Sequence, residues 1–456
     1  MPALGSQERA LRVAIVGSGP SGFYTAGELL KQNLNMKVDM FDRLPVPFGL
    51  VRYGVAPDHP KIKNVTKVFE KTASHPQFSF LGNVHIGKNI SVLEMSQFYD
   101  AVVFAYGAET DRRLDINGEN LPGSYTATEF VAWYNGHPDF QDRHFDFSHE
   151  VAVIIGNGNV AMDVARVLCK TADELKNTDI TANALECLAQ SRIQEVHLYG
   201  RRGPVQAAFT AAEIREMGEL ADCHPVVNPD DLVLNESSLK ELEDTANAGR
   251  KKNYDILRQF ASADPGGRKR KFVLHFGRSP VEILGNGRLE QAKFEINTLS
   301  GEPNRQKAVP TGRFEEIACG MFFRSVGYAG IPMEGLPFSS SSGFIPNTSG
   351  RVMGPGGVMA GLYVAGWIKR GATGIIGTNK PDAEETVRSL MGDMGHLTSC
   401  KIPDSGRLLE FLRDRGVRVV TFEDWKKIDA AEIQRGAGLG KPREKFAMIS
   451  DMLSAI

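Results

Sequence analysis

A glycine fingerprint near the start of the chain restricts the fold more than any other feature. The apolar run 12–16 is followed by G-S-G-P-S-G at 17–22 and then by apolar residues at helical spacing. This order predicts a buried parallel strand, a tight turn and the first turn of a helix. We expect Gly17 to permit the turn, Gly19 to let a pyrophosphate approach the backbone, and Gly22 to let helix and strand pack closely.

An acidic residue follows at the spacing expected of a nucleotide site. The segment 38–42 reads as the next strand and ends in Asp42, which lies 20 residues after Gly22. A carboxylate at that position accepts hydrogen bonds from both ribose hydroxyls of an adenine nucleotide and repels a 2′-phosphate. The pattern therefore predicts FAD or NAD here. The alternative, an ordinary strand–turn–helix, leaves the acid unexplained.

The same theme recurs in the middle of the chain with the opposite charge. The run 151–161 is a strand followed by G-x-G-x-x-A, and the next strand, 195–200, ends in Arg201 and Arg202. Two guanidinium groups suit a 2′-phosphate, so this repeat predicts NADP. If both engage, a preference of about 3–6 kcal/mol for NADPH over NADH follows. The alternative is a solvated arginine pair at the end of a strand.

Composition excludes several classes of function. The chain has 456 residues, enough for two domains, and its net charge of −2 gives no overall field for nucleic acid or membrane. Its five cysteines are scattered without a C-x-x-C pair, which disfavours a disulfide framework, a zinc site, a redox dithiol and iron–sulfur ligands. The sequence has no apolar run of membrane-spanning length, so we expect a cytoplasmic protein.

Two further segments carry expectations of their own. The segment 44–61 holds four prolines and two glycines among apolar residues, which predicts an ordered loop lying over a ligand. The segment 226–270 is polar, and we expect the basic run 268–271 at its end to be solvated surface charge.

Four long runs together resemble the adrenodoxin reductase family, and within it the bacterial, actinobacterial-type NADPH–ferredoxin reductases. They are P-F-G-L-V-R-Y-G-V-A-P-D-H-P-K-I-K-N at 47–64, G-N-G-N-V-A-M-D-V-A-R at 156–166, Y-G-R-R-G-P-V-Q-A-A-F-T at 199–210 and G-W-I-K-R-G-A-T-G-I-I-G-T-N-K at 366–380. The likeness covers nearly the whole chain.

The resemblance implies an α/β protein with two glutathione-reductase-type, three-layer (Rossmann-like) dinucleotide-binding domains. The FAD-binding domain would be discontinuous, 1–106 plus 330–456, and the NADP-binding domain would be 107–329. The implied FAD contacts are Gly17, Ser18, Gly19, Pro20, Gly22, Asp42, Leu50, Val84, Trp367, Gly374, Ile375 and Ile376. The implied NADP contacts are Arg112, Asn157, Gly158, Asn159, Val160, Arg201, Arg202, Glu213 and Gly374.

The resemblance also implies the reaction, in which a hydride passes from NADPH to N5 of FAD and single electrons then pass to an acidic iron–sulfur ferredoxin. His59, Glu213 and Glu216 are the implied catalytic residues, although His59 also suits a structural role in its loop. Hydride transfer needs positioned rings more than a general acid, so we expect only modest rate losses on replacing His59. No metal site is expected.

Basic residues offer a candidate docking patch for such a partner. They are Lys369, Arg370, Arg250, Lys251 and Lys252. The alternative functions are another NADPH-dependent flavoprotein, such as a diaphorase or a glutamate-synthase-type subunit, and a non-catalytic dinucleotide-binding protein. The sequence leaves the oligomeric state open.

Overall fold

The structure, a computed structural model, describes residues 2–456 and divides into two compact units. The first unit combines the chain up to Thr110 with Gly327–Ile456, and the second is Asp111–Val326. The boundaries expected from the resemblance, 106/107 and 329/330, lie a few residues from these.

The strands alternate with helices along most of the chain, as parallel sheets require. In chain order they are β1 Leu11–Val16, β2 Met36–Phe41, β3 Phe78–Leu81, β4 Ala101–Phe104, β5 Thr110–Asp111, β6 Ser124–Thr126, β7 Val151–Ile155, β8 Glu195–Gly200, β9 Cys223–Val227, β10 Arg270–Phe276, β11 Arg278–Leu284, β12 Gln291–Ser300, β13 Lys307–Ala318, β14 Met321–Arg324, β15 Tyr328–Ala329, β16 Asn347–Thr348, β17 Arg351–Gly354 and β18 Gly357–Val364.

The α-helices range from single turns to four turns in length. In chain order they are α1 Pro20–Leu29, α2 Leu50–Tyr53, α3 Pro60–Lys63, α4 Thr66–Ala73, α5 Val92–Phe98, α6 Ala127–Tyr134, α7 Asn159–Cys169, α8 Ala172–Leu175, α9 Ala182–Ala189, α10 Ala211–Met217, α11 Glu236–Glu243, α12 Ala248–Ala261, α13 Trp367–Arg370, α14 Asn379–Asp393, α15 Ser405–Asp414, α16 Phe422–Ala437 and α17 Ile449–Ser454. Among the described residues, no helix has the length and apolar character needed to span a bilayer.

The first unit is built on a seven-stranded sheet in the order β16-β17-β18-β4-β1-β2-β3. Its five strands from β18 to β3 are parallel, and β17 and β16 extend it antiparallel. Because successive side chains of a strand point to opposite faces, Val13 and Ile15 pack with α1 and α14, whereas Ala14 and Val16 pack with α5 and α15. Both faces are therefore covered, and the apolar run at 12–16 forms a central strand.

The second unit repeats this plan with a different third layer. Its six strands are parallel in the order β6-β14-β7-β8-β10-β9. Ile154 on β7 packs with helices such as α7, whereas Val153 packs with Phe294 of the antiparallel sheet β11-β12-β13. The expected α/β class with three-layer, Rossmann-like domains is thus confirmed.

The polar segment 226–270 is more ordered than its composition suggested. It contains α11 and α12, and α12 buries Asn253, Ile256 and Leu257 along one face. In the first unit, the proline-rich segment 44–61 includes the single-turn helix α2 and the start of α3, and the rest of it lies in irregular backbone.

Candidate functional site

The first fingerprint joins β1 to α1 by a turn that glycine alone permits. Gly17 has φ of +108°, and a Cβ there would lie 2.5 Å from the carbonyl oxygen of Ala105. A Cβ at Gly22 would lie 2.0 Å from the carbonyl oxygen of Gly17, so helix and turn are in close contact. In contrast, none of the described residues has an atom within 4 Å of a Cβ placed on Gly19. Open space therefore lies at the middle glycine, where a pyrophosphate would approach.

The N-terminus of α1 is suited to an anion. Gly19 is its N-cap and Pro20 its first residue, and within residues 2–456 the helix has neither a side-chain cap nor an acid in its first turn. The buried hydroxyl oxygen of Ser21 also has no hydrogen-bond partner among the described residues. Unpaired N–H groups and the positive end of the helix dipole thus remain available to phosphate oxygens.

Asp42 follows β2 and bonds back to the fingerprint. Its Oδ2 accepts from the backbone N–H of Ser18 at 3.1 Å and from the Ser18 hydroxyl at 2.5 Å, and its Oδ1 accepts from the N–H of Leu44 at 2.9 Å. Burial raises the pKa of Asp42, and these hydrogen bonds offset part of that rise. The carboxyl group stands at the carboxyl end of the strand, the position that the ribose role requires.

The proline-rich segment lies directly on this fingerprint. The N–H of Phe48 donates to the carbonyl oxygen of Ser18 at 3.0 Å, and a Cβ on Gly49 would lie 3.0 Å from the Cα of Gly19. Leu50, which begins α2, is 36% exposed, whereas Val84 is buried. The segment thus covers the candidate cofactor site from inside the same unit.

A buried ion pair holds the covering segment in place. Arg52 on α2 donates to both carboxylate oxygens of Glu432 on α16, at 2.9 and 2.5 Å. Glu432 also accepts from the N–H of Phe446, and the Arg52 guanidinium lies over the Trp425 ring. The sequence analysis missed Glu432, because nothing local in a helical tail marks one acid as the partner of a residue 380 positions away.

Trp367 and the glycine-rich turn after it also belong to the first unit. The indole Nε1 of Trp367 donates to the carbonyl oxygen of Thr373 at 3.1 Å, which folds the turn back on α13. Gly374 has φ of +79°, Ile375 is exposed and Ile376 is half-buried. A Cβ on Gly366 would lie 2.5 Å from the Ser21 hydroxyl oxygen, so the strand end before Trp367 touches α1.

The expected docking role of Lys369 is wrong. Its side chain is buried, and its Nζ lies 2.8 Å from Asp382 and 2.6 Å from Glu385. Asp382 also accepts from the backbone N–H of Gly366. Lys369 is therefore an internal charge that fixes the end of β18, since a buried ammonium must be paired.

Arg370 likewise has a local partner set. Its Nη1 donates to the backbone and hydroxyl oxygens of Thr373, and its Nη2 donates to Asn379 at 3.0 Å. These bonds stabilise the glycine-rich turn. The sequence places Arg370 close after a strand of the candidate site. That position alone did not show whether the arginine stabilises a turn or binds a partner.

The second fingerprint has the same geometry as the first. Gly156 has φ of +130°, and a Cβ there would lie 2.2 Å from the carbonyl oxygen of Ser325. As at Gly19, no described atom lies within 4 Å of a Cβ placed on Gly158. Helix α7 begins at Asn159 and, over the described chain, has no side-chain cap and no acid in its first turn. Ala161 is fully buried, which explains why alanine replaces the third glycine.

The segment after β8 folds back onto this fingerprint. The N–H of Ala208 donates to the carbonyl oxygen of Asn157, and the N–H of Thr210 donates to Oδ1 of Asn159, both at 2.9 Å. The half-buried Val160 follows on α7. Arg201 and Arg202 are exposed at the end of β8. The structure thus brings the expected NADP residues 157–160 and the arginine pair to one edge of the sheet.

Arg166 is a second residue that the sequence analysis missed. It is fully buried on α7, and it donates to Glu213 at 2.8 Å and to Asp163 at 2.5 Å, with Glu216 3.7 Å from its Nε. Glu213 is also buried. An arginine among the apolar residues of a fingerprint helix is the signal that would have revealed this ion-pair cluster.

The remaining site candidates lie in loops. His59 is half-buried at the N-cap of α3 in the first unit, and Arg112 is exposed in the second.

The expectation of solvated charge at 268–271 is wrong for the two arginines. Arg268 donates to the carbonyl oxygens of Gly218 and Cys223, and Arg270 donates to three carbonyl oxygens at the C-terminus of α7. The two arginines therefore donate hydrogen bonds to backbone carbonyl oxygens at the ends of helices and at the start of β9, which would otherwise lack partners.

Comparison with known proteins gives matches over nearly the whole chain. The family model "Pyridine nucleotide-disulphide oxidoreductase" matches residues 11–199. The NADPH-ferredoxin reductase FprA of Mycobacterium tuberculosis is 46% identical, with 98% of this chain and 99% of that protein covered. The human mitochondrial NADPH:adrenodoxin oxidoreductase is 43% identical, with 98% and 92% covered. The solved structure of Mycobacterium tuberculosis FprA in complex with NADPH matches with a TM-score of 0.92 at 44% identity, covering 98% of this chain and 99% of that one.

Proposed function

Because the chain belongs to the adrenodoxin reductase family of NADPH–ferredoxin reductases, we propose that each fingerprint binds one cofactor. The fingerprint of the first unit binds FAD, and the fingerprint of the second unit binds NADP(H). The protein is an oxidoreductase that uses FAD and NADPH and passes electrons to an iron–sulfur protein of the ferredoxin type. FAD, when bound, accepts a hydride from NADPH at N5 and allows the two electrons to leave one at a time.

In the first unit, the residues around α1 are the proposed FAD ligands. The backbone of 17–22 and the helix N-terminus hold the pyrophosphate, and Asp42 orients the ribose. Leu50, Val84 and Trp367 line the cofactor. The backbone N–H groups of 374–376 stabilise negative charge on the reduced ring. Open space at Gly19 and the unpaired Ser21 hydroxyl support this assignment, since both suit a bound anion.

In the second unit, residues 157–160 hold the NADP pyrophosphate in the same way. Arg201 and Arg202 bind the 2′-phosphate, and Arg112 adds a further cation. We propose Glu213 as a contact towards the nicotinamide end, and the contact at Gly374, which belongs to the first unit, stays a prediction from the resemblance. The ion pair with Arg166 fixes the orientation of the Glu213 side chain.

Three polar side chains are proposed to influence the hydride step itself. His59 orients groups in the covering segment, and Glu213 and Glu216 contribute negative charge held by Arg166. We expect these residues to adjust the geometry and rate of hydride transfer rather than to supply an essential proton. Hydride transfer from NADPH to the flavin requires no proton donor.

We propose that the electron acceptor is an acidic ferredoxin. We also propose that the enzyme transfers electrons in either direction between ferredoxin and NADP⁺, and that it does so in the cytoplasm. Lys251 and Lys252 are exposed on α12 and are the members of the expected docking patch that remain suited to this role. Charge reversal of both should weaken ferredoxin reduction in stopped-flow assays while leaving ferricyanide reduction unchanged. Equal losses in the reduction rates of ferredoxin and ferricyanide would show that these lysines do not dock the ferredoxin.

One observation carries the assignment of cofactors: a carboxylate ends the second strand of one fingerprint, and two guanidinium groups end the corresponding strand of the other. The test is the double variant Arg201→Gln, Arg202→Gln. We expect it to reduce selectivity for NADPH over NADH by about a hundred- to ten-thousand-fold, mainly through KM for NADPH.

The control for this test is Arg192→Gln, which removes an exposed charge from the same unit without approaching β8's end. It should leave both KM values unchanged. If the double variant raises KM for NADPH and NADH equally, the arginines do not bind a 2′-phosphate.

A further inference from the structure

A third arginine approaches the pair at the end of β8 from a distant part of the chain. Arg202 donates from Nη2 to the carbonyl oxygen of Gln206 at 3.5 Å, and the Gln206 side chain donates to Oε2 of Glu241 at 3.1 Å. Arg250 on α12 donates to the same Oε2 at 2.7 Å. Two short links thus connect Arg250 to the turn that carries Arg201 and Arg202.

Glu241 is built to hold Arg250 in place. It is fully buried, and its Oε1 accepts from Gln306 at 2.8 Å and from the N–H of Asn304 at 2.9 Å. Burial alone raises the pKa of Glu241, but these hydrogen bonds, the one from Gln206 and the charge of Arg250 together lower it. A carboxylate kept ionised in the interior fixes the guanidinium that satisfies it.

Arg250 differs from its basic neighbours in the direction it faces. Residues three and seven positions further along α12, Asn253 and Leu257, are buried on the packed face of the helix. Asn253 donates to the carbonyl oxygen of Phe209, which ties α12 to the segment after β8. Lys251 and Lys252 are exposed on other faces. Arg250 therefore faces the segment after β8, whereas Lys251 and Lys252 face solvent.

The three guanidinium groups carry more positive charge than their surroundings balance. Within the described residues, the hydrogen bonds of Arg250 leave from Nη1 alone, to Glu241 and Asn304, so Nη2 and Nε remain for a ligand. Burial lowers the pKa of Arg202, and the like charges of Arg201 and Arg250 lower it further. Three cations against one buried carboxylate favour binding of a compact dianion.

We propose that Arg250, oriented by Glu241, is the third cation of the 2′-phosphate site and a determinant of selectivity for NADP over NAD. This inference rests on the proposed function of Arg201 and Arg202. Arg250 binds the phosphate directly, and Glu241 is a positioning residue that does not touch the nucleotide.

The test measures nucleotide binding to the FAD-loaded enzyme by calorimetry, with 2′,5′-ADP and 5′-ADP as probes. Arg250→Gln should weaken 2′,5′-ADP binding about tenfold and leave 5′-ADP binding unchanged. Arg250→Lys should retain part of the affinity, since a point charge replaces the fork. In steady-state assays Arg250→Gln should raise KM for NADPH with little change in kcat.

Two more variants make the test specific. Arg258→Gln removes an exposed charge from the same helix two turns away, and it should leave binding of both probes unchanged. Glu241→Gln should weaken 2′,5′-ADP binding less than Arg250→Gln does, because the guanidinium remains but is less firmly held. Melting temperatures of all variants identify those that fail to fold, and Arg250→Lys then serves as the informative substitution.

The outcomes separate the inference from the function on which it rests. If the double variant at 201 and 202 loses 2′,5′-ADP affinity but Arg250→Gln and Arg250→Lys do not, Arg250 is outside the phosphate site and the inference is wrong. If the double variant also binds 2′,5′-ADP normally, the proposed 2′-phosphate function itself is wrong. If Arg250→Gln impairs only ferredoxin reduction, Arg250 docks the protein partner, which likewise overturns the inference.

Discussion

Two histidines in the second unit stack within its interior as neutral rings. Nδ1 of His197 lies 2.9 Å from Nε2 of His275, and the His275 ring stacks on Tyr199 at 4.2 Å between centroids. Tyr199 in turn stacks on Phe294 at 3.8 Å. Burial lowers the pKa of His275 to about 3 and also lowers the pKa of His197. The stack joins the parallel sheet to the antiparallel layer above it.

This stack predicts a loss of stability in mild acid. The unfolded chain binds a proton at His275 near pH 6.5, whereas the folded protein does not until the pH approaches about 3. Stability therefore falls as the pH decreases below 6.5, by at most about 1.4 kcal/mol per pH unit for this group. His275→Phe keeps a ring in the stack and should reduce the fall in melting temperature between pH 7 and pH 5. The exposed His144→Gln should not.

Single charges were the least predictable feature of the site. Asp42, Arg201 and Arg202 could be predicted as site candidates from the sequence because each follows the next strand after a fingerprint. The role of Lys369 could not be predicted, because its partners Asp382 and Glu385 lie 13 and 16 positions further along the chain, on α14. Whether a charged residue is exposed or paired depends on tertiary contacts, which local spacing does not encode.

At the scale of elements, helix α16 holds the covering segment 44–61 in place through Glu432. Burial raises the pKa of Glu432, but the charge of Arg52 and hydrogen bonds lower it overall, so the pair is ionised. A helix without a recognisable motif thus determines where α2 lies. Since α2 rests beside the first fingerprint, the order of the segment depends on this contact.

Removing one partner should be much worse than removing both. Glu432→Ala leaves a buried guanidinium uncompensated, which costs about 3–5 kcal/mol. We expect a lower melting temperature and faster loss of FAD, measured by absorbance after gel filtration. The double variant Arg52→Met, Glu432→Leu should retain more of both. Equal FAD loss in the two variants would show that the missing ion pair, rather than the unpaired charge left by Glu432→Ala, disorders the segment.

The strands of the parallel sheets were predictable as elements, whereas β13 of the antiparallel layer was not. Strands β1 and β7 are largely apolar, and β8, like them, has buried residues on both faces. Strand β13 is mostly exposed and polar, so its sequence shows no apolar run of this kind. It pairs with β12 as a hairpin that closes across residues 301–306, and only the partner strand reveals it.

At the scale of the whole molecule, the second unit is an uninterrupted segment inserted into the first. Its apolar clusters draw only on residues of that segment, from Leu114 to Val326. A fragment comprising 111–326 should therefore fold by itself and bind 2′,5′-ADP with the affinity of the full chain. Circular dichroism and calorimetry would check this. A fragment that is unfolded, or folded without binding, would contradict it.

The interrupted first unit imposes an order on biosynthesis. Strand β4 must wait for β18, which pairs with it through Leu362 and Val102, until most of the polypeptide has left the ribosome. The inserted segment is complete earlier and can collapse while translation continues. A chain that terminates after residue 330 should thus still bind the pyridine nucleotide. It should remain colourless because the FAD site is completed only by the residues that follow.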